Sequence, residues 1–356
     1  MAKVNKVTIT FLVDNNIEWF TKLPPGFTHE LPQHLRYHTP AVDKITEVPV
    51  LDFNQFCCGK SGSRALTFSN TESPETGKTH LTLFDTGPDS ASLVRNVSAM
   101  HVSADQVERV IISHWHSDHS GGLLSFLKHR NSGSAETRTP CVVDVHPDRP
   151  FSRGIAPGPR YDKVICALPP DPTFELIEDA GGLVEVHAEA HVVAGNTVYI
   201  SGEIPRVTPF EQGILGGMRW KDGKWTEEPH IMDERYAAID VVGKGLIIFS
   251  ACSHAGIVNV IKHAVDTFSR PIHMVVGGLH LATPDLVPRI TPTVHFLSEQ
   301  LKPSPTYILP MHCSGFQTKV ALEAAMGEGC IPAGAGLTVE VIGDKEYDAR
   351  LFAPSY

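Results

Sequence analysis

The chain has 356 residues, 42% hydrophobic and 20% charged, which is enough to bury a sizeable core in one large domain. Its formal net charge of −10 argues against a nucleic-acid groove, whose footprint is basic. No stretch approaches the ~20 apolar residues that cross a bilayer, and Met1-Ala2-Lys3-Val4-Asn5-Lys6 lacks the apolar core of a signal peptide, so a cytoplasmic location is expected.

Strands and helices alternate with no short repeat and no low-complexity tract, the pattern of an α/β fold. An apolar strand over Val7 to Val13 comes first and ends in Val13-Asp14-Asn15, followed by a less regular stretch over residues 24–49. Seven cysteines, odd in number and widely spaced, read as reduced thiols, and the adjacent pair Cys57-Cys58 as two unlinked ones. Cys58-Gly59-Lys60-Ser61 has the ending of a P-loop, but Asn54 stands where that loop needs glycine. A strand over Thr79 to Phe84 then runs into Asp85-Thr86-Gly87, and Ser103-Ala104-Asp105-Gln106 has the form of a capping box. The short strand Val110-Ile111-Ile112 leads directly into the most informative stretch of the chain.

That stretch is His114-Trp115-His116-Ser117-Asp118-His119-Ser120-Gly121-Gly122, which puts four strong metal ligands into six positions. His114 and His116 alternate, so both imidazoles reach one side of an extended segment, while Asp118 and His119 continue toward a second point nearby. One loop can therefore serve two divalent ions. Imidazole with carboxylate suits zinc first, with manganese or iron as alternatives, and a metal held this way makes water a nucleophile at neutral pH. A ligand loop at the C-terminal end of a buried strand is where α/β proteins put chemistry.

Downstream, Leu123 to Leu127 opens a helix and Cys141 to Val145 is a strand. Residues 147–172 carry Pro157-Gly158-Pro159 and Pro169-Pro170 and read as irregular. Strands are expected over Val198 to Ile200, Tyr236 to Val242, Leu246 to Phe249, His273 to Val276 and Thr306 to Leu309. Between the first two of these, residues 210–229 hold Trp220 and Trp225 among glycines and charges and are a candidate lid. Ile257, Val260, Ile261, Ala264, Val265 and Phe268 fall on one helical face, which is a core stripe. Just before that helix, Cys252 and His254 follow a strand; His254 is the favoured further ligand, with Cys252 as a soft alternative and Asp233 as a weaker one.

In order, Phe84-Asp85-Thr86-Gly87, the histidine loop, Gly202-Glu203-Ile204-Pro205-Arg206, Cys252-Ser253-His254-Ala255-Gly256-Ile257-Val258-Asn259, Gly277-Gly278-Leu279-His280-Leu281 and His312-Cys313-Ser314-Gly315 together resemble the metallo-β-lactamase superfamily. Within it they are similar to the branch that includes the dihydropterin ribofuranosylaminobenzene phosphate synthases and many uncharacterised hydrolases. The resemblance implies a four-layer αββα sandwich with a binuclear site at one edge. It implies metal ligation by His114, His116, Asp118, His119 and His312, with Asp85 orienting the loop from behind. His280 is implied as a group that stabilises developing charge or acts as an acid, and Glu203 with Arg206 as substrate anchors. Insertions over residues 147–172 and 205–232 would shape the cleft, making Phe151, Arg153, Arg160 and Tyr161 candidate substrate contacts.

The sequence departs from the superfamily in two places. Many relatives carry a bridging aspartate where Cys252 stands and an earlier histidine in a Pro-Gly-His turn, and neither is plain here. The segment Gly59 to Ser63 also departs from the Glu-His-Gly form expected of the synthases. Hydrolysis of an ester, lactone, thioester or phosphoester of a small molecule is therefore the leading expectation. A synthase-like transferase and a di-iron redox or sensor protein are the alternatives, and a homo-oligomer stays open. No Gly-x-Ser-x-Gly elbow supports a serine hydrolase, and no Gly-x-Gly-x-x-Gly fingerprint follows the first strand.

Overall fold

The computed structural model describes residues 1–14, 25–28, 41–42, 49–50, 66–72, 77–133, 139–156, 158–164, 166–168 and 170–356. Cys57-Cys58 and Gly59 to Ser63 lie outside them.

Two sheets form the centre. The larger takes eight strands in the spatial order β11 (Gly182–Val186), β8 (Cys141–Val145), β7 (Arg109–Ile111), β6 (Thr79–Phe84), β5 (Leu66–Glu72), β1 (Lys6–Val13), β20 (Thr338–Ile342) and β2 (Phe27–Thr28). The run from β6 to β11 is parallel and the rest antiparallel. The smaller takes six, β12 (His191–Val193), β13 (Val198–Ile200), β16 (Ala237–Val241), β17 (Gly245–Ser250), β18 (Ile272–Gly278) and β19 (Tyr307–Met311), with β17, β18 and β19 parallel. A two-stranded pair, β3 (Ala41–Val42) with β4 (Pro49–Val50), stands apart from both.

Side-chain alternation along these strands sorts the core into layers. Val7, Ile9 and Phe11 of the larger sheet meet Ile239, Ile247, Phe249, Val276 and Leu309 of the smaller in one buried cluster between the sheets. The alternate residues Ala238, Leu246, Ile248, Val275 and Ile308 face outward onto helix α5 (Ile257–Phe268) and helix α6 (Ile290–His295). On the far side Leu83, Val110 and Val143 pack on α1 (Ser92–Ala99), α3 (Leu123–Arg130) and α4 (Phe174–Asp179). The result is the expected order of helices, sheet, sheet and helices. No helix among the described residues is long and apolar enough to cross a membrane.

Two local expectations need correction. Ser103 makes no side-chain cap; Ala104–Gln106 is a single 3-10 turn, ended because Val107 is already extended and Glu108 N–H bonds to the Leu81 carbonyl at 3.0 Å. Residues 147–172 are not merely irregular, and they join residues 210–229, the candidate lid. They supply β9 (Arg153–Ile155), β10 (Cys166–Ala167), β14 (Gly217–Lys221) and β15 (Lys224–Glu227), which form one four-stranded sheet in the order β10, β9, β14, β15. Trp220 and Trp225 are cross-strand partners there, ring centroids 5.3 Å apart at 73°. Distant in sequence, the two insertions are one structure.

Candidate metal centre

The histidine loop leaves the end of β7, and a short helix, α2 (Ser117–Ser120), turns Asp118 and His119 back over it. Gly121 and Gly122 make this turn geometrically feasible. A Cβ on Gly122 would lie 2.1 Å from the Thr86 carbonyl oxygen, and one on Gly121 2.2 Å from that of Pro88. Only glycine lets the loop close onto the Asp85-Thr86-Gly87 turn, where Thr86 N–H and Oγ1 both donate to the His119 carbonyl.

Two donor groups result. In the first, the ring nitrogens of His114, His116 and His254 lie within 4.8 Å of one another, with His114 Nε2 2.9 Å from His116 Nδ1 and 3.2 Å from His254 Nε2. Burial holds His114 and His254 well below the usual imidazole range and brings His116 down to about 3, with Arg153 adding to the effect. All three are therefore neutral near pH 7 and present lone pairs. His254 reaches the loop because Glu234, buried behind it, accepts the backbone N–H groups of His254 and Ala255 at 2.7 Å each.

In the second group Asp118, His119, Cys252 and His312 offer an oxygen, two nitrogens and a sulfur within 4.8 Å. Cys252 Sγ is 3.1 Å from His119 Nε2 and 3.0 Å from His312 Nε2. His119 Nε2 is 3.3 Å from Asp118 Oδ2. Burial alone would lower His119, but Asp118 and Asp85 outweigh it and raise it to about 10. Burial pushes the Cys252 thiol well up. His312 enters from the end of β19, where Asp14 accepts its backbone N–H at 3.1 Å.

This donor chemistry fits divalent cations: three neutral imidazoles converge in one group, and a carboxylate, a thiol and two imidazoles in the other. Seven side chains from three segments far apart in sequence meet in one place, and both groups draw on the histidine loop. Asp85 sits behind, its Oδ2 2.7 Å from His119 Nδ1 and its Oδ1 accepting Ser113 N–H. His280 lies beside His254, ring centroids 4.3 Å apart, and with Cys252 and Cys313 makes a third cluster of donors. Its Nδ1 is buried and has no hydrogen-bond partner among the described residues, as does His254 Nδ1.

Other sequence candidates stand elsewhere. Asp233 is in neither donor group; its carboxylate takes Arg153 Nη2 at 2.6 Å on one oxygen and Trp115 N–H at 2.6 Å on the other. Arg153, expected among substrate contacts, is 5% exposed and held by Glu228 and Asp233. Arg160 faces solvent and pairs with Asp162, and Tyr161 bonds Asp285. Phe151 is 75% exposed. Glu203 is exposed; Arg206 is half-buried, makes no ion pair with it among the described residues, and keeps a buried Nε without a partner. Sequence reasoning passed over Ser113, Trp115, Glu228 and Glu234. For Glu234 the neighbouring Asp233 drew attention away, and for Glu228 no local signal exists.

The sequence profile of the metallo-β-lactamase superfamily matches residues 75–207. Over 242 residues, 67% of this chain and 76% of the relative, the chain is 27% identical to the 7,8-dihydropterin-6-methyl-4-(β-D-ribofuranosyl)-aminobenzene-5′-phosphate synthase of Methanocaldococcus jannaschii. An uncharacterized protein of the same organism is 26% identical over the same share of this chain and 81% of its own length. Among solved structures, a metal-dependent hydrolase of the β-lactamase superfamily superposes with a TM-score of 0.63 at 18% identity, covering 94% of this chain and 99% of that one. The superfamily profile thus lies across the histidine loop, and the chain shares the layered fold of that metal-dependent hydrolase around it.

Proposed function

We propose that the chain is a cytoplasmic metal-dependent hydrolase acting on a small-molecule ester, lactone, thioester or phosphoester. The observation that carries this reading is the pair of adjoining donor groups, His114, His116 and His254 beside Asp118, His119, Cys252 and His312. Those residues would hold two divalent cations, zinc first by the nitrogen-rich donor set, which would supply Lewis acidity and lower the pKa of water toward neutrality.

The chain's own residues do the rest. Asp85 accepts from His119 Nδ1 and so leaves Nε2, which faces Cys252 and Asp118, as the nitrogen that would give up its proton to a bound cation. Ser113 Oγ, 2.8 Å from both Asp85 and His114 Nδ1, orients the first histidine in the same way. Asp118, at the junction of the two groups, positions the attacking water. His280 is placed to donate a proton or hydrogen bond to the oxygen on which charge develops. Arg206 and Glu203 anchor the substrate beyond it.

Elemental analysis of the purified chain, run beside hydrolysis of a panel of lactones, thioesters and phosphodiesters before and after chelation, tests the reading. About two zinc or manganese ions per chain with chelation-sensitive turnover supports it. Turnover that survives both chelation and Asp118→Ala overturns it, and iron without hydrolysis moves the weight to redox or sensing. The named synthase relative favours a second reading, condensation of a dihydropterin with a ribofuranosyl-aminobenzene phosphate. Assaying that condensation directly separates the two.

A further inference from the structure

Trp115 stands between the two histidines of the first donor group, and its peptide groups are gripped on both sides. Its N–H donates to Asp233 Oδ2 at 2.6 Å, and its carbonyl accepts from Arg153 Nη1. Arg153 Nη2 closes the ring on Asp233 Oδ1 at 2.6 Å. The indole is fully buried, with Nε1 donating to the His146 carbonyl at 2.8 Å. All three polar groups of Trp115 are thus held by fixed partners.

The geometry follows from peptide planarity. The Trp115 N–H lies in the peptide plane joining it to His114, and the Trp115 carbonyl in the plane joining it to His116. Holding both planes fixes the Cα atoms of both histidines within them and leaves only ψ of His114 and φ of His116 to set their Cα–Cβ directions. Every donor of Arg153 is engaged: Nε and Nη2 on Glu228 at 2.7 and 2.9 Å, Nη2 also on Asp233, and Nη1 on Trp115 with a longer contact to Asp233 at 3.4 Å. No donor is left over for a substrate. Nor does stability alone explain such a pair, since a buried ion pair rarely improves on apolar side chains of the same size.

We infer that Arg153 and Asp233 are positioning residues that set the aim of His114 and His116. Arg153 belongs to β9, so the four-stranded insertion is part of the metal centre's scaffold and not only a wall of the cleft. The inference rests on the reading that the His114, His116 and His254 group holds a cation, and its test does not depend on hydrolysis.

Cobalt(II) titration of the chelated full-length chain separates the groups, because thiolate charge-transfer absorption reports the one containing Cys252 and ligand-field absorption without it reports the histidine group. Asp233→Asn and Arg153→Met are expected to weaken the histidine-group ion roughly 10- to 100-fold, as loss of a ligand's supporting partner does, while the thiolate signal titrates as before. Arg153→Lys should recover part of the loss. If a single variant fails to fold, the double variant Arg153→Met with Asp233→Leu removes that ion pair together and leaves Glu228 to Arg219, 3.3 Å away, and it should fold while still binding that ion weakly. Unchanged affinity in the folded variants overturns the positioning role and leaves the proposed function standing. A wild-type chain that takes up no ion at the histidine group overturns both.

Discussion

Asp85 Oδ2 lies 2.7 Å from His119 Nδ1, in a pocket where neither side chain is exposed to solvent. The same carboxylate holds Ser113 by its backbone N–H at 2.7 Å and its hydroxyl at 2.8 Å, so one residue at the end of β6 ties both ends of the histidine loop. Asp85→Asn is expected to lower metal affinity about 10- to 100-fold by releasing the tautomer of His119. Competition against a fluorescent chelator measures it, and wild-type affinity in the variant would show that the contact only packs the loop.

Cys252→Ser should leave the chain folded but replace a soft donor with a weak one. The expected outcome is loss of the ion bound with His119 and His312, seen as roughly one metal per chain in place of two. Retention of both ions would move Cys252 out of the donor set.

His280→Ala should lower turnover by roughly 100-fold or more, as removal of an acid does, with the metal content of the wild type. A steady-state assay paired with elemental analysis reads both, and a parallel fall in metal content would reassign His280 to ligation.

Gly122→Ala tests the close approach of the loop to Thr86. With carbonyl oxygen 2.1 Å from the new Cβ, the backbone must move, at about 1–3 kcal/mol or more. Chemical denaturation of the metal-free chain should show that loss, and an unchanged midpoint would mean the turn yields freely.

Asp144 governs an acid limit. Burial raises its carboxyl, but hydrogen bonds and charge from His191 and Arg235 overcome this and hold it at about 2, below the usual carboxylate range. A depressed carboxyl contributes stability that is present above the unfolded value and fades as pH falls through the folded one. The window is therefore pH 4 down to 2, and the contribution about 2 kcal/mol. Asp144→Asn should flatten the stability profile across that window while destabilising the protein at neutral pH, because Arg235 is left buried without its counter-ion.

Nine strands of the two central sheets were legible from apolar runs: Cys141–Val145, Val198–Ile200 and Thr79–Phe84 have the bounds expected of them and the other six differ by at most two residues at an end, whereas the edge and more polar strands β2, β5, β11, β12 and β20 were not read. Strands of the insertion were not, since Arg153-Gly154-Ile155 is too short to show a period and its pairing with β14 joins residues some sixty positions apart. Within the site, the loop was legible because its donors are consecutive. Asp233 and Arg153 were read as ligand and substrate contact because each has the right chemistry. Only the three-dimensional pairing reveals that they spend it on each other and on Trp115, in an order no spacing rule encodes.

β1 lies between β5 and β20, pairing Lys6 with Ile342 along one edge. On the ribosome, that edge of the first strand must wait until the residues near 342 have emerged before it gains its partner. Completion of the larger sheet therefore waits until the chain has reached β20, and long-range pairing of this kind is slow. Chains stalled or truncated before β20 would end the sheet at β1, an eight-residue apolar strand with one open, aggregation-prone edge.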